Sequence, residues 1–243
     1  MKKLVLVSAL ALAMVFGLWS MVCISAEQAK EKGLVGYWNF DEGKGETAKD
    51  ASGNNNNGAI ADAKWVPGKF GTALEFDGAM SMVEIPHSKV FDVKQLTIEM
   101  WIKTPDEFEL ANGWRAVLSK EGGGSVDERD YNFYGYSADG VSVSSMHFSS
   151  PAKFGASMFE LPKPYAPATW HHIAITIDAD GKHVYYSDGV NFAESAGTPS
   201  VADGEYSVFI GKADNYWKGA IDEVKIYNRA LGPDEIKAHA SKK

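Results

Sequence analysis

The residues in this chain with the most chemistry to offer are gathered in Asp50-Ala51-Ser52-Gly53-Asn54-Asn55-Asn56-Asn57-Gly58. Carboxylate, amide and backbone oxygens on a glycine-flanked loop suit a hard cation, because calcium takes roughly six to eight oxygen ligands. The loop lacks the glycine position and terminal glutamate of an EF-hand. Asn and Gly also crowd plain turns, since both tolerate left-handed backbone, so the turn reading stands beside the cation reading.

A second group is aromatic. Trp114 stands beside Asn112 and Arg115, Tyr131 precedes Tyr134 and Tyr136, Tyr165 follows a proline-rich stretch, and Tyr216-Trp217 follows Asn215. Sugar rings lay their C–H faces on the π faces of Trp and Tyr while amides bind their hydroxyls. Trp114, Tyr131, Tyr134, Tyr136, Asn215 and Trp217 are therefore the expected ligand contacts, whereas Trp38, Trp101, Trp170 and Phe209 are expected in a core.

Catalytic patterns are weaker. Glycoside hydrolysis needs two carboxyls roughly 5 to 10 Å apart across one bond. Asp41-Glu42 and Asp222-Glu223 are sequence neighbours, and neighbours on a strand point to opposite faces. Asp127, Glu128 and Asp130 with Arg129 read as a solvated loop, with part of a site for a polar ligand as the alternative. His171 and His172 also face apart on a strand, one packed and one wet, and His87, His147, His183 and His239 have no metal-ligand spacing. No Gly-x-Ser-x-Gly elbow is present. Gly43-Lys44-Gly45-Glu46-Thr47-Ala48 matches a dinucleotide fingerprint, but it runs into the turn-rich Asp50 loop and opens no helix to hold a pyrophosphate, so no nucleotide is expected.

The elements that must position these residues are strands. From Leu34 the apolar and aromatic residues alternate, with Gly36, Trp38 and Phe40 on one face. Further strands are expected over Ala73–Phe76, Met82–Ile85, Leu96–Lys103, Arg115–Lys120, Tyr131–Tyr136, Val141–Phe148, His171–Ile177, His183–Ser187, Tyr206–Gly211 and Gly219–Tyr227. Asp139-Gly140 and Asp180-Gly181, each flanked by alternating residues, are hairpin turns. Gly122 to Asp130, and Ser149 to Thr169 with its four prolines, read as long loops. The one helix signal is Pro233-Asp234-Glu235-Ile236, where proline and acids suit a helix start. The expected fold is all-β, a two-sheet antiparallel sandwich closed by a short C-terminal helix.

A chain of 243 residues with 45% hydrophobic and 12% aromatic residues fills the layer between two sheets as one domain, residues 33–243. Residues 1–26 read as an export signal: Lys2 and Lys3, an apolar run to Val22, then Ile24-Ser25-Ala26 before Glu27. The apolar run approaches the roughly 20 residues that span a bilayer, so an uncleaved anchor is the alternative. Residues 27–32 form a linker, and either route places the domain in a secreted, periplasmic or envelope location. Cys23 is the single cysteine, so cleavage after Ala26 leaves a domain without disulfides. The net charge of −8 and the lack of a basic cluster argue against nucleic acid or an anionic membrane as partner.

The ordered segments "GYWNFDEG", "DASGNNNNG", "WVPGKFGTALEFDG", "VEIP", "LTIEMWIK", "WHHIAITID" and "GAIDEVKIYNRAL" followed by "GPDEI" resemble the laminin-G-like, concanavalin A-like jelly rolls of bacterial secreted proteins, from about Gly33 to Ile236. The resemblance implies a jelly-roll sandwich that binds carbohydrate or protein. It also implies a structural calcium where first and last strands meet, with Asp222 as partner to Asp50 and Asn55. Glycosidases on this fold place Glu-x-Asp-x-x-Glu on one strand; the nearest match is Glu75-Phe76-Asp77 followed by Met80, without the third carboxylate. The combined reading is an exported, non-catalytic carbohydrate-binding module with a polysaccharide or glycoconjugate as partner. The alternative is a structural or adhesive module contacting an envelope protein, and a jelly-roll hydrolase or lyase comes third.

Overall fold

Alternation of apolar and polar residues produces strands where it is strongest, and their pairing places both ends of the domain side by side. The computed structural model describes residues 31–105, 113–123, 125–139 and 142–242; the expected export signal over residues 1–26, with Cys23, and Asn112 lie outside the described residues. The strands are β1 (Leu34–Trp38), β2 (Thr47–Ala48), β3 (Gly58–Ala61), β4 (Lys64–Pro67), β5 (Thr72–Asp77), β6 (Met82–Ile85), β7 (Leu96–Lys103), β8 (Gly113–Glu121), β9 (Arg129–Ser137), β10 (Val143–Ser150), β11 (Gly155–Tyr165), β12 (Trp170–Ile177), β13 (His183–Ser187), β14 (Val190–Ser195), β15 (Val208–Ile210) and β16 (Lys218–Tyr227). One helix, α1 (Pro233–Ala240), follows.

All pairings are antiparallel and form two sheets. The first runs β14-β13-β12-β7-β16-β5-β4, with β1 also on β16; the second runs β11-β10-β9-β8-β15-β6-β3-β2. Their facing sides supply one continuous core that includes Trp38, Phe76, Ile98, Phe133, Phe148, Ile175 and Val224, all at most 1% exposed. The expected sandwich is the observed one, with Asp139 and Asp180 at the β9–β10 and β12–β13 hairpins.

β16 organises the first sheet. One edge pairs with β7, while the other is divided: Lys218–Ile221 pair with β5, and Val224–Tyr227 pair with β1. The handover falls at Asp222-Glu223, where the register shifts and Glu223 takes φ 55°, a left-handed conformation that costs a non-glycine residue on the order of 1–3 kcal/mol. Asp222 is fully buried there, its Oδ2 accepting Phe70 N–H (3.1 Å) and its Oδ1 accepting Glu223 N–H (2.8 Å). Burial and the neighbouring Glu223 charge push its carboxyl up to about 7.

Three expectations need correction. The stretch read as a loop from Ser149 to Thr169 carries the end of β10 and the eleven-residue β11. Pro162 and Pro164 obscured that strand, and they are tolerated because β11 is the end strand of its sheet, where a missing N–H breaks no ladder on the open side. Trp170 is half-buried beneath Lys103 Nζ rather than in the core. The acidic loop is not wholly solvated: Asp130 is 1% exposed and bonds Lys120 Nζ at 2.6 Å. Lys120, itself fully buried, also reaches Asp92 at 3.1 Å, and Asp130 Oδ2 accepts Gly204 N–H. The helix follows its sequence signal, with Glu235 accepting Gly232 N–H and paired with Arg229, while Ile236 packs on Leu34, Tyr227 and Leu231.

Two predictions follow from these buried charges. Lys120→Met leaves Asp130 charged and unpaired, and urea unfolding should report a loss of about 3–5 kcal/mol, partly restored by adding Asp130→Asn; no loss would mean the pair carries no structural weight. Asp222 has a raised folded-state value, so its contribution is complete below its ordinary carboxylate range and is lost as pH rises through about 7. In buffer with chelator, the stability of wild type relative to Asp222→Asn should fall by up to about 4 kcal/mol between pH 4 and pH 8. A pH-independent difference would rule out a perturbed Asp222.

Candidate functional site

Strand phase decides which aromatic residues can meet a ligand. Along β9, Tyr131 and Phe133 point into the sandwich, whereas Asn132, Tyr134 and Tyr136 point out of it. Tyr131 is therefore core, with no exposed surface, and its place in the expected ligand set is corrected. Trp217 is corrected likewise: its fully buried indole lies against Gly135 of β9, where an added Cβ would sit 3.3 Å from the ring. Glycine at 135 makes room for that indole on the inner side.

The remaining aromatics converge on the outer face of β8, β9 and β10. Cross-strand register sets Trp114 opposite Tyr136 and Tyr134 opposite His147. Ring centroids lie 4.6 Å apart for Trp114–Tyr136, 4.5 Å for Trp114–His147 and 5.6 Å for the stacked Tyr134–His147 pair. Tyr134 is buried as a floor, and Trp114, Tyr136 and His147 are half-buried above it. His147 has no metal-ligand spacing to mark it, and its signal in the sequence is its phase alone, between the inward Met146 and Phe148. Burial and the Arg129 charge push its imidazole down to about 4, so at neutral pH it is an uncharged flat ring.

Polar groups border the rings. Asn132 Nδ2 donates to Glu121 Oε2 (2.6 Å) and to Tyr134 Oη (2.8 Å), and the Tyr134 hydroxyl donates to Asp214 Oδ1 (3.2 Å). Arg129 Nη2 donates to Asp214 Oδ2 at 3.1 Å, and its Nε lies 3.8 Å from Glu121. Asn215 lies nearby, but its Oδ1 accepts Ala116 N–H at 2.9 Å and so fastens the loop before β16 to β8. Of the six expected contacts, Trp114, Tyr134, Tyr136 and Asn215 thus share one region, in which Asn215 positions the loop.

Other expected groups have different occupations. Tyr165 is 4% exposed, its ring stacked 4.0 Å from that of His171, whose Nδ1 lies 2.9 Å from Asp188 Oδ2. These residues line a groove of about 450 Å³ with Pro162, Pro164 and Phe192. His172, the packed neighbour, sits 3.5 Å from the buried Glu99. Asp77 accepts the N–H groups of Ala79, Met80 and Ser81, which outweigh desolvation and hold it below the usual carboxylate range.

The carboxylates expected to hold calcium, Asp50 and Asp222, each accept backbone N–H groups. Asp50 Oδ1 accepts Tyr37 and Ser52 N–H groups and its Oδ2 accepts that of Asn56, so the carboxylate closes its own loop. Asp222 serves a different segment through Phe70, and Asn55 is exposed at φ 60°. Among the described residues no group of three or more His, Cys, Asp or Glu side chains is gathered for a metal.

Solved structures share this architecture. Domain 4 of AbnA, a GH43 extracellular arabinanase from Geobacillus stearothermophilus solved in complex with arabinotriose, is 20% identical over 86% of this chain and 98% of that one, with a TM-score of 0.63. The binding domain of Paraclostridial Mosquitocidal Protein 1 is 16% identical over 86% of this chain and 52% of that one, TM-score 0.59. Trypanosoma rangeli sialidase in complex with sialic acid is 21% identical over 86% of this chain, TM-score 0.63, and the chain spans 33% of its length. At these identities the likeness establishes the fold. No curated protein matches the sequence. The family model described as the concanavalin A-like lectin/glucanases superfamily matches residues 77–237, most of the domain from β5 into α1, and the chain belongs to that superfamily.

Proposed function

We propose that this chain is an exported, non-catalytic carbohydrate-binding domain whose ligand lies on the outer face of β8, β9 and β10. The observation that carries the reading is the half-buried trio Trp114, Tyr136 and His147 over the buried Tyr134, bordered by Asn132, Glu121, Arg129 and Asp214. Flat apolar rings beside fixed acceptors are the two halves of sugar recognition: rings take C–H faces, and carboxylates and amides take hydroxyls. The fold neighbour solved with arabinotriose supports a saccharide ligand for the architecture. Glu121 and Asp214 hold Arg129 and Asn132 in place, which suits a binding role better than proton transfer.

A second reading, a protein-contact module of the envelope, draws on the outermost strands β11 and β14, which expose Met158 and Val190. Affinity electrophoresis of residues 27–243 against a polysaccharide panel, with calcium and with chelator, separates the two. Trp114→Ala should weaken glycan retardation about tenfold or more, equivalent to about 1.4 kcal/mol, with an unchanged circular dichroism spectrum. Unchanged affinity for a retained glycan would discard the ring face, and no retardation would favour the protein partner.

A further inference from the structure

We propose that the ring face selects neutral, hydroxyl-rich glycans and rejects carboxylated ones, an inference that rests on the reading of this face as a glycan site. Charge and hydrogen bonding at the border of the rings set this selection. An anionic sugar needs a cation with unspent donors, and a bidentate arginine is the usual provider. Arg129 stands in the right place, but its positive charge is already faced by two carboxylates, with Nη2 on Asp214 at 3.1 Å and Nε 3.8 Å from Glu121. The other described cations nearby are engaged elsewhere: Lys212 Nζ sits 3.9 Å over the Phe209 ring, and Arg115 Nη1 donates to the Trp114 carbonyl. His147 could add positive charge only if protonated, and its burial keeps it neutral well below pH 7.

The acceptors are in excess. Glu121 and Asp214 together outnumber Arg129 by one negative charge, and Asp214 is the more open of the two, its side chain 53% exposed against 5% for Glu121. Sugar hydroxyls can donate to Asp214 at the rim, where a carboxylated glycan would meet like charge. The net charge of −8 on the chain reinforces the same preference at longer range. Neutral rings also leave their C–H faces free to lie on Trp114 and Tyr136 without desolvating an anion.

The test is affinity electrophoresis of wild type, Trp114→Ala and Asp214→Asn against neutral probes (arabinan, xylan, galactomannan) and polygalacturonate, with melting temperatures recorded for each protein. Wild type should be retarded by at least one neutral glycan and at least tenfold more weakly by polygalacturonate. Asp214→Asn removes one of the two carboxylates on Arg129, and should gain severalfold on polygalacturonate while losing on the neutral glycan. Retardation by polygalacturonate equal to or above the neutral probes, abolished by Trp114→Ala, would overturn the charge selection while leaving the glycan face standing. Retardation by none of the probes would overturn both.

Discussion

The division of one edge of β16 between β5 and β1 is the constraint on which this structure depends. A strand of ten residues pairs along β7 on one side and with both the early strands on the other, so the start and end of the domain become neighbours in one sheet. Hydrogen bonding alone does not fix the register. The inward residues do, because a one-residue slip would carry Val224 and Ile226 out of the core shared with Trp38 and Val35. The division also has a local cost at the handover, where Glu223 is held left-handed and the Asp222 carboxyl is buried against backbone donors. Strain of this kind persists only when surrounding packing over-determines it.

The second sheet inherits its function from that arrangement. The loop leading into β16 carries Asp214 and Asn215, and Asn215 is tied to β8 through Ala116, so the edge of the aromatic face is placed by the strand that closes the sandwich. On the inner side of β9, Gly135 gives space to Trp217; on the outer side, Tyr134 supports Trp114 and His147. The same three strands therefore present apolar rings to the core and a mixed aromatic and polar border to solvent. The rings are held by cross-strand register on paired strands, not on a free loop, which limits how far they must be ordered when a ligand arrives.

Much of this was legible in the sequence, and the failures have particular causes. The pairing of the chain ends was readable because both segments are dense in aromatic and branched residues that suit buried strands, although each strand carries a bulge that breaks strict alternation. β11 was hidden by Pro162 and Pro164, whose penalty disappears on an end strand. Tyr131 and Trp217 were misplaced because proximity in sequence to Tyr134 and Asn215 says nothing of which side of a sheet a ring faces; a one-residue phase separates core from surface. The Lys120–Asp130 pair depends on the register of β8 against β9, and the bulges within that pairing put it beyond spacing rules. The Asp50 loop offers oxygens by composition, but spacing does not show that the Asp50 carboxylate accepts the N–H groups of Tyr37, Ser52 and Asn56.

The central claim is that ligand recognition occurs at the Trp114, Tyr136 and His147 rings. Its most direct test is a chemical-shift titration of the intact domain with a retained neutral oligosaccharide, following the Trp114 indole N–H and the His147 imidazole. The account predicts saturable shifts at both, with the groove between Pro162 and Phe192 unmoved. Shifts confined to that groove, with Trp114 and His147 unchanged, would contradict it.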